Sequence, residues 1–278
     1  MTEQVVPSFE FPDYPTRVAV MGDWHGDGRW AAMMVRLAAN LGADVIVHTG
    51  DFGIDMDSPL QQRFISTLNR ALKAAGLSLV FVDGNHDSFD ALLPKPLNDF
   101  GIRPITTRIA HLPRGFRWTW WDKTWVALGG AQSVNGNQIP HVNWWAEEVV
   151  SPYEAEAVIE GGHADVMVTH DMPDEVHLPG VSNPNMFRAD MLRASENHHA
   201  LIGVVVDEVR PELMLHGHMH IRHDTVRELP GGGETLVTGL DCNGCRNWRD
   251  NIVLLDAMTL EPLPLHESLA NRRDENGE

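Results

Sequence analysis

Three times in the first ninety residues or so, a short unbroken apolar run leads into glycine-rich polar residues and then into a longer segment with helical spacing. The runs are Arg17-Val18-Ala19-Val20-Met21, Asp44-Val45-Ile46-Val47-His48, and residues 77–82. The first helical segment covers 29–41, with Trp30, Met33, Met34, Leu37 and Leu41 on one face. Ser58-Pro59 reads as an N-cap followed by proline in the first turn, opening a helix to about Ala75 that Gly76 closes. Strands that are apolar on both faces and alternate with helices predict a parallel sheet covered on both sides. Beyond residue 105 the pattern shifts to two antiparallel strands, 116–121 and 124–128, turning at Asp122-Lys123. A helix from Ser151-Pro152 to about Gly161, a strand over 165–168, a helix over 188–205 and a strand ending near Leu215 follow. The chain then reads as a hairpin, 222–228 and 235–238 around Pro230-Gly231-Gly232-Gly233, and a last strand over 252–255. No repeat and no linker interrupts it. The expectation is a single α/β domain over 1–278 built on two sheets flanked by helices, with 1–15 and 269–278 as flexible tails.

Composition narrows this picture. A chain of 278 residues, 43% hydrophobic, is long enough to bury one large core. No apolar run reaches bilayer length, and the polar, acidic start does not read as a signal peptide. Two cysteines cannot build a disulfide framework, which fits a reducing, cytoplasmic setting. A net charge of −18 with no basic stripe disfavours nucleic-acid binding. It still allows a small anionic substrate, because bound cations dominate the field near them.

The chemistry-bearing residues gather where the apolar runs end. They are Asp23-x-His25, Gly50-Asp51, Gly84-Asn85-His86-Asp87, His170 and Gly217-His218-x-His220. Ligands of open α/β sheets sit beyond the carboxyl ends of the strands. Strand alternation would put His218 and His220 on one face, as a pair fit for a metal ion. Singly, each of these residues is an ordinary cap or turn residue. Capping does not explain why all of them fall on one sheet edge.

The five blocks in this order resemble the calcineurin-like metallophosphoesterases, whose pattern is DxH…GD…GNH(D/E)…H…GHxH, and the match runs from about residue 17 to 220. The resemblance implies a four-layer α/β/β/α sandwich and two divalent cations, Mn first, with Fe, Zn or Ni accepted by the same donors. It implies Asp23, His25, Asp51 and His220 at one ion, and Asp51, Asn85, His170 and His218 at the other, with Asp51 bridging. Two cations about 3.5–4 Å apart would clamp the phosphate while a bridging hydroxide attacks phosphorus. His86 would be the general acid, since imidazole changes charge near neutral pH. Asp87 would orient its ring or cap the helix that follows. A proton donor next to the metals favours a phosphodiesterase, with a cyclic nucleotide among the possible substrates. Phosphomonoesterase, nucleotide phosphatase and nuclease are the alternatives. A non-catalytic scaffold would be marked by missing ligands, and none is missing. The compactness is similar to that of bacterial and phage members. Substrate identity and oligomeric state are not fixed by the sequence.

Other candidates carry less. Cys242-x-x-Cys245 lacks the second pair of a zinc site and reads as structural thiols. His48 reads as a satisfied core histidine, and His216 as a core residue or a support for His218. Trp144 and Trp145 read as core or interface residues, with stacking on a nucleobase as the rival use. Gly129-Gly130-Ala131-Gln132-Ser133 ends a strand and is a candidate pocket wall. Arg246 and Arg249 either contact phosphate or pair with Asp241 and Asp250. Specificity is expected from the tryptophan-rich segment and the loops around 172–186 and 241–249.

Overall fold

Successive side chains of the first strands enter two different apolar layers. In a computed structural model, which describes residues 6–54, 58–178 and 187–265, β1 (Arg17–Met21) sends Val18 and Val20 to one layer and Ala19 and Met21 to the other. The same alternation divides Val45 and Val47 from Ile46 in β2 (Val45–His48), and Val80 from Leu79 and Phe81 in β3 (Ser78–Phe81). A strand with two buried faces has no polar side to show, which is why the sequence runs are continuous rather than alternating.

The outer layer is completed by α1 (Gly28–Asn40) and α2 (Pro59–Ala75), which bury Met34, Val35, Ala38, Leu68 and Leu72 against the sheet. Asp27 caps α1 by accepting from the backbone of Arg29 and Trp30. Gly76 closes α2 at φ 70°, in the left-handed region where glycine carries no side-chain penalty. The short α3 (Phe89–Leu92) follows β3. Then come β4 (Arg103–Pro104) and β5 (Ile109–His111), two strands too short to be read from alternation. β6 (Arg117–Trp120) and β7 (Lys123–Leu128) form the expected antiparallel pair. α4 (Pro152–Glu160), with a Ser151/Glu154 capping box, leads to β8 (Val166–Thr169). α5 (Ala189–Val209) extends a turn past the expected end at 205, because the apolar face continues through Val206 and Val209 until Arg210 turns left-handed at φ 56° ahead of Pro211. β9 (Leu213–His216), the hairpin of β10 (His223–Glu228) and β11 (Glu234–Gly239), and β12 (Ile252–Asp256) complete the chain.

The two sheets have six strands each, in the orders β12-β1-β2-β3-β5-β4 and β10-β11-β9-β8-β7-β6. In both, the four central strands are parallel and the two edges antiparallel. The inner layer joins Val18, Val47 and Val80 of one sheet to Trp125, Val168 and Leu215 of the other, so the sheets pack face to face. α4 and α5 cover the far face of the second sheet. The layers therefore run helix, sheet, sheet, helix. Parallel strands bring their carboxyl ends to one edge of each sheet, where the chain leaves the core with its polar groups free for chemistry. No helix among the described residues is long and apolar enough to cross a membrane.

Candidate metal centre

Five of the parallel strands release a chemistry-bearing loop at this edge. Asp23 and His25 follow β1, Asp51 follows β2, Asn85 follows β3, His170 follows β8, and His218 and His220 follow β9. Both sheets thus contribute. One ligand atom from each of Asp23, His25, Asp51 and His220 lies within 4.8 Å of the others. His220 Nε2 is 3.0 Å from Asp23 Oδ2, and His25 Nε2 is 3.2 Å from Asp51 Oδ2. On the other side of Asp51, its Oδ1 is 3.2 Å from His170 Nε2, which is 3.1 Å from Asn85 Oδ1. The His218 ring stands 5.1 Å from that of His170. The two oxygens of one carboxylate thus face two different imidazoles, one on each side.

The imidazoles are held by their far nitrogens. His170 Nδ1 donates to the Thr49 carbonyl at 2.8 Å, and His25 Nδ1 lies 2.9 Å from Asn243 Oδ1. Each bond fixes a ring so that Nε2 points inward, which is how ligating histidines are prepared. The backbone is unusual at the same places. His25, Asp51, His218 and His220 all have positive φ, between 45° and 59°. For residues with a side chain this region costs about 1–2 kcal/mol. His218 and His220 therefore lie in left-handed turns beyond the end of β9 at His216, and not on a strand with alternating faces. Gly84 and Gly217 are needed for close approach: a Cβ on Gly84 would meet Asp51 Oδ1 at 2.2 Å, and one on Gly217 would meet Asp23 Oδ1 at 2.0 Å.

The charges in the centre are strongly coupled. Burial would raise the Asp51 carboxyl, but His170, His25 and His86 hold it well below the ordinary carboxylate range. Burial would lower His170, yet Asp51 and Asp23 push it up to about 10. His220 is likewise opposed by burial and raised to about 10 by Asp23 and Cys242. Burial brings His218 down to about 4, so its ring is neutral and able to donate a lone pair. Among the described residues, buried Asp51 Oδ2 has only His25 Nε2 near it, at 3.2 Å, and no well-aligned hydrogen-bond donor. A buried anionic oxygen without a donor is costly unless a cation serves it. Donor atoms about 3.0–3.5 Å apart match two ligands each about 2.1 Å from one shared ion. Carboxylate and imidazole donors together fit a divalent metal, and Asp23, His25, Asp51 and His220 are placed to hold one.

Several expectations need correction. Asp87 neither touches the His86 ring nor caps a helix. Its buried carboxylate accepts from the backbone N–H groups of Phe52, Gly53, Ile54 and Gly84, so it ties the Asp51 loop to the Asn85 loop. Ser88 caps α3. Burial and the nearby Asp51 charge push Asp87 up to about 6. His216 is fully buried, as the core reading expects, with its Nε2 2.9 Å from His223 Nε2 and its Nδ1 3.0 Å from the Gly217 carbonyl. His48 is fully buried but not satisfied, with both ring nitrogens unpartnered and the ring packed edge-on against Trp24 and Phe52. Trp145 is buried against Phe89 and donates to Asp90, and Trp144 donates to Glu148, so both indole N–H groups are committed within the protein. Arg249 lies over the Trp248 ring at 4.3 Å instead of pairing with an acid. The two cysteines are free thiols, with Cys242 beside His220. The loop around 179–186 lies outside the described residues.

Three supporting residues are not marked as part of the site by the sequence pattern. Asn243 holds His25, while Ser133 and Glu148 stand behind Asn85. Ser133 belongs to the stretch expected to form a pocket wall. Asn243 follows β11 in a loop expected to set specificity, but nothing near it in sequence points to His25. Burial raises the Glu148 carboxyl from its ordinary value to about 7, against the pull of Ser133 and Trp144. A raised carboxyl favours the folded state below its ordinary value near 4.5, and that contribution is lost as pH rises through about 7. Thermal unfolding of the metal-free protein should therefore show Glu148→Gln gaining Tm relative to the parent between about pH 5 and pH 8.5. A Tm difference that stays constant with pH would remove Glu148 as a buried titrating group.

Comparison with known proteins places this geometry in a family. Residues 16–222 match the calcineurin-like phosphoesterase family. No curated protein matches the sequence. Among solved structures, the protein TT1561 of Thermus thermophilus is similar with a TM-score of 0.51 at 17% identity, covering 91% of this chain and 100% of its own. A dimetal phosphatase from Danio rerio is similar with a TM-score of 0.50 at 14% identity, covering 82% of this chain and 88% of its own. At these identities the structural likeness speaks for the fold alone. The matched residues span β1 to just past His220, with every candidate ligand inside them, and on that match the chain belongs to the calcineurin-like phosphoesterase family.

Proposed function

We propose that the chain is a phosphodiesterase that uses two divalent cations, Mn first, on a small phosphorylated substrate in the cytoplasm. The observation that carries this reading is Asp51, whose two oxygens face His170 and His25 from opposite sides. Asp23, His25, Asp51 and His220 would hold one cation, and Asp51, Asn85, His170 and His218 the other. When bound, such a pair neutralises phosphoryl oxygens and lets water act as a nucleophile at neutral pH. Asn85 contributes a neutral carbonyl where a further carboxylate would repel the phosphate. His86 is exposed beside the centre, with its ring 5.7 Å from that of His25, and its backbone N–H donates to Asp51 Oδ1 at 2.8 Å. The residue is thereby anchored by its backbone while its imidazole stays free to give a proton to a leaving oxygen. An alkoxide leaving group, from an alkyl diester or an alkyl monoester, needs that proton. The −18 charge supports a small substrate over a nucleic-acid polymer.

The test is hydrolysis of bis(p-nitrophenyl) phosphate by protein stripped with chelator and reloaded with Mn²⁺. Turnover that needs the metal, and that exceeds turnover of p-nitrophenyl phosphate, is the expected result. Faster monoester hydrolysis would replace the diesterase reading with a phosphatase. No turnover of either compound with Mn, Fe, Co, Ni or Zn would end the enzyme reading.

A further inference from the structure

Asn85 is the one candidate ligand whose side chain has two chemically different ends. A carboxamide turned over by half a rotation presents N–H to the centre in place of a lone pair, and N–H groups repel a cation. Something must fix the orientation. The end facing away from the centre meets a buried chain of hydrogen bonds. Asn85 Nδ2 donates to Ser133 Oγ at 3.0 Å, and Ser133 Oγ donates to Glu148 Oε2 at 2.8 Å. The Ser133 backbone N–H donates to Glu148 Oε1 at 2.8 Å, and Trp144 Nε1 donates to the same oxygen at 3.1 Å. Asn85, Ser133 and Glu148 are 2%, 3% and 1% exposed, so bulk solvent does not reach these bonds.

The direction of the chain follows from donor counting. At pH 8, above the value of about 7 to which burial raises Glu148, the group is a carboxylate and only accepts. The Ser133 hydroxyl has one hydrogen, and Glu148 takes it. Its oxygen can then only accept along the bond to Asn85, so the –NH₂ end of the carboxamide must face Ser133. Oδ1 is left facing His170. Glu148 itself is fixed by three donors on Oε1: the Ser133 backbone N–H, Trp144 Nε1 and, at 3.4 Å, Gln132 Nε2.

We propose that Ser133 and Glu148 are positioning residues that set the orientation of the Asn85 carboxamide, so that its oxygen faces the cation site shared with His170 and His218. The inference deepens the dimetal phosphodiesterase reading above and rests on it. Supporting groups around metal ligands typically change affinity about 10- to 100-fold when removed.

Glu148→Gln is the sharp test, because it keeps the volume and reverses the polarity. Its –NH₂ end would donate to Ser133 Oγ, leaving the serine hydrogen without an acceptor unless Asn85 turns over. Mn²⁺ binding to chelator-stripped protein is measured by titration calorimetry at pH 8, with metal content counted after dialysis. The parent is expected to bind two ions. Glu148→Gln and Ser133→Ala are expected to keep one site at parental affinity and weaken the other about 10- to 100-fold. Ser133→Thr, which keeps the hydroxyl, is expected to keep both. In the metal-free protein, the Asn85 side-chain amide signals in a nitrogen-15 spectrum should shift in Glu148→Gln, a readout independent of activity.

A Glu148→Gln protein that folds and binds both ions as the parent does would overturn the proposal. So would equal weakening of the two sites, which would mean a general loosening. If Glu148→Gln fails to fold, the Ser133→Ala and Ser133→Thr pair decides, and equal metal binding by the two overturns it. A parent that binds no ion at all would instead defeat the dimetal reading, and that result is told apart by the parent alone.

Discussion

Asp51→Asn is expected to abolish turnover and to leave the protein unable to hold two cations. The substitution is nearly isosteric, so packing around β2 and the Asp87 loop should survive it. What it removes is specific. Asp51 Oδ1 faces His170 Nε2 and accepts from the His86 backbone, while Oδ2 faces His25 Nε2 and has no well-aligned hydrogen-bond donor. Asparagine retains a single carbonyl oxygen and carries no charge. Whichever side that oxygen serves, the other faces an –NH₂ group. The ion held with Asp23 would lose one of its two carboxylate charges, and the ion held with Asn85, His170 and His218 would lose its only one. The expected loss in kcat/KM is on the order of 10³-fold or more, about 4 kcal/mol of transition-state stabilisation. Metal content after dialysis should fall well below two ions per chain. Asp23→Asn is the comparison, because Asp23 clusters with His25 and His220 and its loss should empty mainly the site they share. Two ions retained by Asp51→Asn at parental affinity would remove Asp51 as the shared ligand.

The parts of this centre that are legible in the sequence are those that a strand delivers directly. β1, β2 and β3 are apolar on both faces, and a run that ends abruptly in Gly-Asp or Gly-Asn-His marks the sheet edge without any structure in view. The placement of His218 and His220 departs from the strand alternation expected: both lie in left-handed backbone beyond the strand, beside His170 and Asp23 respectively, and no period-two pattern encodes it. Asp87 looks in sequence like a partner for its neighbour His86, but its carboxylate reaches back across thirty-odd residues to the amides of the Asp51 loop, a bond that depends on tertiary packing. Glu147 and Glu148 are adjacent and identical in the sequence, yet the first is exposed and the second is 1% exposed behind Asn85. Asn243 meets His25 across 218 residues. A long-range polar contact has no local periodicity, so residues of this kind become visible only when the two sheets are brought together.

His86→Ala is expected to leave both cations in place and still lose most of the rate on substrates with poor leaving groups. The separation follows from which part of the residue does what. The backbone N–H of residue 86 donates to Asp51 Oδ1, and alanine keeps that bond. The imidazole is exposed and faces the side of the centre where His25 stands, 5.7 Å between ring centres. On the proposed reading, removing it takes away a proton donor and no cation ligand. Loss of a general acid costs about 10²- to 10⁴-fold, or roughly 3–5 kcal/mol of barrier. The cost depends on the leaving group, since nitrophenolate is a stable anion and departs without a proton, whereas an alkoxide does not. Bis(p-nitrophenyl) phosphate should therefore report only a modest fall in kcat for His86→Ala, while a cyclic nucleotide or another alkyl diester that the parent turns over should report the full loss. Calorimetry on the same protein should show two Mn²⁺ sites with parental affinity. Equal kcat losses on the two classes of substrate would mean that His86 positions the phosphate without protonating the leaving oxygen, and loss of an ion would mean that its imidazole serves the metals after all.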